Sequence, residues 1–134
     1  MRRTYKYKVK LSQKDKYRAE EQLSLACSLY NACIEQRRTA WERCGESVSG
    51  IDQKNELPKL KKDDDFSDYK KIGSQVLQDV VERVDLAYQH FFRRVKNGET
   101  PGYPRYKSWN RYQSITFKQA GWKYLHGGRL KLQG

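Results

Sequence analysis

The chain is poor in the residues from which metal and catalytic centres are built. Among its 134 residues are only three cysteines, Cys27, Cys33 and Cys44, with no CxxC pair, and two histidines, His90 and His126. Structural zinc takes four converging ligands at close spacing, so this set argues against a zinc site. No Ser/His/Asp or Cys/His constellation for nucleophilic catalysis is laid out either. Asp63, Asp64 and Asp65 form one carboxylate cluster, but neighbouring carboxylates on one stretch of loop rarely converge on a cation and read as solvated acids at a helix start. Long apolar runs are also missing. Nothing approaches the roughly 18 residues of a membrane span, and the N-terminal MRRTYKYKVK has no signal-peptide core. With the three thiols read as buried and reduced on an apolar helix face, the expectation is a cytoplasmic chain without catalytic residues, metal, cofactor or membrane partner.

What the chain has in excess is positive charge. Its net charge is +12, its hydrophobic content 37% and its charged content 33%, against about 45–50% and 25% in ordinary domains. An acidic polymer is the partner such a chain attracts. The charge is also sorted: residues 1–18 carry +7, residues 19–92 carry −4 and residues 93–134 carry +9. Two basic ends flank a mildly acidic centre, and together they would make one basic surface.

Periodicity divides the chain the same way. Tyr5, Tyr7, Val9 and Leu11 alternate with Thr4, Lys6, Lys8 and Lys10, the pattern of a strand with one buried and one basic face, whose lysines also suit a protected sheet edge. Ser12, three residues before Asp15, is placed to cap a long helix. Its stripe of Leu23, Ala26, Cys27, Tyr30, Cys33, Ile34, Trp41 and Cys44 runs to a stop at Gly45. Loops around a short helix near Gln53 to Lys61 follow. A second strong helix spans about Ser74 to Lys96, with Ser74 as cap and Leu77, Val80, Val81, Val84, Ala87, Tyr88, Phe91 and Val95 as its buried stripe, packing antiparallel on the first. After Pro101, Gly102 and Pro104 come strand patterns at Ser114–Phe117, Trp122–Leu125 and Arg129–Leu132, the last two joined by His126-Gly127-Gly128 as a hairpin. The predicted class is α+β: a small oligonucleotide-binding-like β-barrel or sheet, residues 1–11 and 100–134, interrupted by an antiparallel helical insertion, residues 12–99.

The densest functional signal lies between Phe91 and Phe117. Six cations, Arg93, Arg94, Lys96, Arg105, Lys107 and Arg111, stand among Tyr103, Tyr106, Trp109 and Tyr112, with Glu99 as the only acid. Cations neutralise phosphates and ring faces stack on bases, so the mixture suits single strands or irregular RNA better than a plain duplex. A solvated basic loop is the plainer reading of such a run. Gln75 and Gln78, at the start of the second helix, carry amides able to reach base edges, or are ordinary exposed glutamines.

With these residues in order, the chain resembles the N-terminal part of the OrfB/TnpB family, transposon-encoded RNA-guided nucleases related to type V CRISPR effectors. The resemblance covers essentially the whole chain. It is carried by Tyr30-Asn31, SQVLQ at Ser74–Gln78, Ala87-Tyr88 with FFRRVK at Phe91–Lys96, PGYPRYKS at Pro101–Ser108, RYQSITF at Arg111–Phe117 and GGRLKL at Gly127–Leu132.

The resemblance implies a wedge domain with a helical recognition insertion, often labelled helix-turn-helix, that grips guide RNA and reads a short target-adjacent DNA motif. By similarity Ser74, Gln75, Gln78 and Thr116 occupy motif-reading positions. Lys6, Lys8, Lys10 and the cations from Arg93 to Arg111 would contact backbone. The family's RuvC-like nuclease domain and zinc ribbon have no counterpart in these residues, so no DNA cleavage is expected of this polypeptide alone, and a downstream nuclease half is an implied partner. Gly50 and Lys54 stand where members often carry other residues, which leaves the preferred DNA motif open. The alternative is a free-standing, nuclease-less RNA/DNA-binding repressor or accessory factor.

Overall fold

The computed structural model describes residues 2–118 and 122–132. Helix α1, Gln13–Cys44, starts where the Ser12 side chain accepts from the Asp15 backbone N–H at 3.1 Å. It stops at Gly45, whose φ of 63° is the left-handed conformation that glycine adopts without steric cost. Helix α2, Gly50–Lys62, opens on a capping box in which Ser49 and Asp52 satisfy each other's backbone N–H groups. It runs through Pro58 and is longer than its sequence pattern suggested. The following acids do their work locally: Asp63 Oδ1 accepts from the Asp65 N–H at the head of a short 3₁₀-helix, Asp64–Lys71. Helix α3, Ser74–Lys96, has Gly73 rather than Ser74 at its N-cap and no side-chain cap there.

The core is made by one face of α1 against one face of α3. Ala26, Cys27, Leu29, Tyr30, Cys33 and Ile34 meet Val76, Leu77, Val80, Val81, Val84 and Tyr88, with Leu57, Tyr69 and Ile72 closing the side. The order of the contacts corrects the expected antiparallel pair. Glu21 of α1 bonds Lys71 just before α3 and Ser28 bonds Tyr69, while Ile34 and Arg37 reach Tyr88 and Asp85. The two long helices therefore run in the same direction, and α2 returns antiparallel between them: its Gly50 lies beside Asp85, its Lys54 beside Glu82 and its Glu56 beside Gln36. A methyl group at Gly50 would stand 3.0 Å from the Asp85 carboxyl carbon, so α2 docks closely enough that a larger residue would press on the Asp85 side chain.

This arrangement also explains three stripe residues that are not core. Helix α2 begins at the level of Asp85 and covers nothing beyond it, so Trp41, Val95 and Cys44 at the far ends of α1 and α3 stay exposed. Periodicity marks a face but not where its cover ends.

The β part is smaller than expected. Among the described residues the sheet is the hairpin β1, Trp122–Leu125, and β2, Arg129–Leu132, in the expected position and with antiparallel register Trp122↔Leu132 to Leu125↔Arg129. Residues 4–11 are not paired as a strand, and Tyr5, Tyr7, Val9 and Leu11 are exposed. Ser114–Phe117 is not a strand either; Arg83 donates to the Ser114 carbonyl and to Thr116 Oγ1, both at 2.9 Å. The fold is thus mixed helix and two-stranded antiparallel sheet, and no barrel is closed among the described residues.

A buried cation ties the helices together. Arg37 donates from Nε to Gln53 Oε1 and from Nη2 to Asp85 Oδ1, each at 2.9 Å, and its guanidinium lies 5.0 Å from the Tyr88 ring centroid. Gln53 in turn donates to the Cys33 carbonyl and to Gln36 Oε1. Arg37→Ala strands a buried amide oxygen and a carboxylate together, so a loss of about 2–4 kcal/mol is expected in urea denaturation. A loss below about 1 kcal/mol would show that this network is not an anchor.

Candidate nucleic-acid interface

The segment from Tyr103 to Lys118 is an irregular strap laid across α1 and α3. Asn31 clamps it at Lys107, accepting from the backbone N–H at 2.8 Å and donating to the carbonyl at 2.9 Å, while the Cys27 thiol donates to the same carbonyl at 3.3 Å. Farther on, Ile115 and Phe117 pack on the core, and Lys118 joins Lys54 on the Glu82 carboxylate. Hydrogen bonds from Lys118 and Lys54 hold the Glu82 carboxyl below the usual range.

The strap separates the candidate residues into different roles. Tyr112, expected to stack on bases, is 3% exposed. Its ring packs on Tyr30 with centroids 5.8 Å apart, beneath the Arg83 guanidinium at 5.2 Å, so no base can reach it. Lys107 is also drawn inward, its Nζ 4.8 Å from the Tyr30 ring centroid and 5.7 Å from that of Tyr112. Tyr106 and Trp109 do present open faces, Trp109 being 82% exposed. Tyr103 is stacked on Phe91 at 5.0 Å with one face and stays partly open.

Arg93, Arg94 and Lys96 form the exposed last turn of α3, where cations also complement the negative end of the helix dipole. Arg93, Arg94, Arg105 and His90 line an open cleft of about 510 Å³ together with Pro101–Arg105. None of the six cations from Arg93 to Arg111 forms a salt bridge among the described residues. The same holds for Lys6, Lys8 and Lys10, exposed on the N-terminal segment.

Of the four residues placed by similarity as motif readers, Ser74, Gln75 and Gln78 sit at the other end of α3. Ser74 and Gln78 are exposed. Gln75 Oε1 is buried without a hydrogen-bond partner among the described residues. The bidentate reading of adenine needs both the amide oxygen and the amide nitrogen, and Gln75 does not offer its oxygen outward. Thr116 is brought to the same helix by Arg83, which also binds Asp79 at 2.9 Å. Fifteen residues of helix, about 22 Å, separate Gln78 from Arg93, so a reading surface and a backbone-gripping surface would be distinct. Sequence periodicity gave no sign of Arg83's role, because its partners Ser114 and Thr116 lie more than 30 residues away.

Burial leaves an alkaline signature. It pushes the Tyr112 hydroxyl from 10.0 up to about 12, despite the opposing Arg83 charge, and the Cys33 thiol from 9.0 up to about 11, despite Arg37. Both groups bind their proton more tightly folded than unfolded. Their contribution to stability is complete below about pH 9 and is lost as pH rises toward 12. The urea midpoint should therefore fall from pH 9 to pH 11, and Tyr112→Phe should shrink the fall above pH 10. A flat midpoint over that range would contradict the buried, protonated assignment.

In comparison with known proteins, the sequence matches no protein-family model and no curated protein.

Proposed function

We propose that the chain is the nucleic-acid-binding N-terminal region of a TnpB-like, transposase-associated RNA-guided nuclease, gripping guide RNA and reading a short DNA motif. The observation that carries this reading is how the charges are used. The acids of α3 are engaged within the fold: Asp79 with Arg83, Glu82 with Lys54 and Lys118, and Asp85 with Arg37. The cations from Arg93 to Arg111 have no such partner among the described residues, and the strap that carries Arg105 and Arg111 also exposes Tyr106 and Trp109. Unneutralised cations beside open ring faces match a phosphate backbone with accessible bases.

In the same reading the sheet is completed by the N-terminal segment. The hairpin register puts Trp122, Tyr124, Leu130 and Leu132 on one face and Lys123, Leu125, Arg129 and Lys131 on the other, and all eight strand residues are exposed. Residues 5–11 carry the same alternation of apolar and lysine positions, and Tyr5 and Tyr7 already stack on one side at 6.4 Å. Pairing the two would bury one apolar face and present one basic face, the wedge-type β domain of this proposal. Cleavage chemistry belongs to a nuclease half outside these residues.

Binding to a single strand is expected to weaken steeply with salt. With Lys107 drawn inward, phosphate contacts from the other five cations between Arg93 and Arg111 give a slope of about −3.5 in log affinity against log salt. Replacing Arg93, Arg94 and Arg105 together by Ala should reduce that slope by about 2 and weaken every sequence alike. A slope near zero for the unmodified chain would sink the electrostatic basis. Gln78→Ala is expected to relax preference at one DNA base by about 1–3 kcal/mol, seen by comparing target-adjacent sequences in a binding assay. Equal loss on all of them would remove Gln78 from the reading role.

A further inference from the structure

Two clefts meet at one pair of rings. Phe91 and Tyr103, stacked at 5.0 Å and 24°, line both. On one side lies the cleft of Arg93, Arg94 and Arg105, which no carboxylate lines among the described residues. On the other is a groove of about 280 Å³ walled by Trp41, Tyr88, Phe92 and Val95, with Arg37 and Arg38 at its edge and Glu46 as its one carboxylate among the described residues. Trp41 is 56% exposed, Phe92 58% and Val95 50%. The groove exists because α2 stops covering α1 and α3 at Gly50.

The occupant must suit both halves. A groove this short takes a flat ring system more readily than a helix, whose recognition needs anchors over several turns. The arginines across the wall select an anion attached to that ring system. A nucleotide of a single strand has both parts, and a duplex keeps its bases stacked and out of reach.

We propose that the Phe91–Tyr103 stack divides a composite nucleotide subsite. An unstacked base enters among Trp41, Phe92 and Val95, and a flanking phosphate is held by Arg93, Arg94 and Arg105. This rests on the nucleic-acid reading above and deepens it, assigning base contact to Trp41 and Phe92.

The test compares two probes on the full chain at low salt by fluorescence anisotropy: a single-stranded oligoadenylate of about 12 nucleotides, and a strand of equal length whose central sugars are abasic. Trp41→Ala and Phe92→Ala, both at exposed positions and checked for helicity by circular dichroism, are each expected to weaken oligoadenylate binding about 5-fold or more. They should leave the abasic strand bound as by the unmodified chain. Arg93→Ala with Arg105→Ala should weaken both probes. Equal loss on the two probes, or no loss for either aromatic variant, overturns the subsite while the phosphate-binding reading stands. Failure of the unmodified chain to bind either probe overturns both.

Discussion

Burying the Arg37 guanidinium is possible only if three helices arrive together. Gln53 from α2, and Asp85 and Tyr88 from α3, each occupy part of it, and removing any one leaves a charge or dipole without compensation in a poorly polarisable interior. The arrangement sets the register of the whole helical body. Asp85 must face both Arg37 and the close approach of Gly50, which places the start of α2 and makes it return between two parallel long helices. Because that start lies partway along α1 and α3, the same constraint leaves their far ends bare. The exposure of Trp41 and Phe92 follows from it.

The strap transmits this order to the basic segment. Its backbone is captured by Asn31 at Lys107 and by Arg83 at Ser114, and its Tyr112 fills the space between α1 and α3. The cations and rings that remain outside are therefore held on a surface of defined geometry. The sorting of charge along α3 completes the separation. Acids in its first half are consumed by internal partners, and cations in its last turn are left for an external anion. Local neutralisation in one region is what gives the other its net field.

Features governed by neighbours along the chain are legible in the amino-acid sequence. The Ser12 cap, the Gly45 stop, the end of α3 at Asn97 and the hairpin around Gly127 and Gly128 each depend on a few adjacent residues, and each stands where its chemistry places it. The core face of α3 from Leu77 to Tyr88 is legible for the same reason, since period alone selects it. The candidate site is legible only as composition. Nothing near Tyr112 or Lys107 in the chain distinguishes them from Tyr106 or Arg105, yet the first two are drawn onto Tyr30 and the others are not.

By itself, then, the sequence determined the two long helices, the hairpin, the net charge and the sorting of cations to the ends, because propensity, capping and Coulomb terms are local or additive. The tertiary structure alone decided that α1 and α3 run parallel, that Tyr112 is core, that Trp41 and Phe92 are surface and that Ser114–Phe117 bonds to Arg83 rather than to a strand. Each of these depends on which distant groups compete for the same buried hydrogen bond or the same patch of apolar cover, and that competition is settled only when the chain is folded.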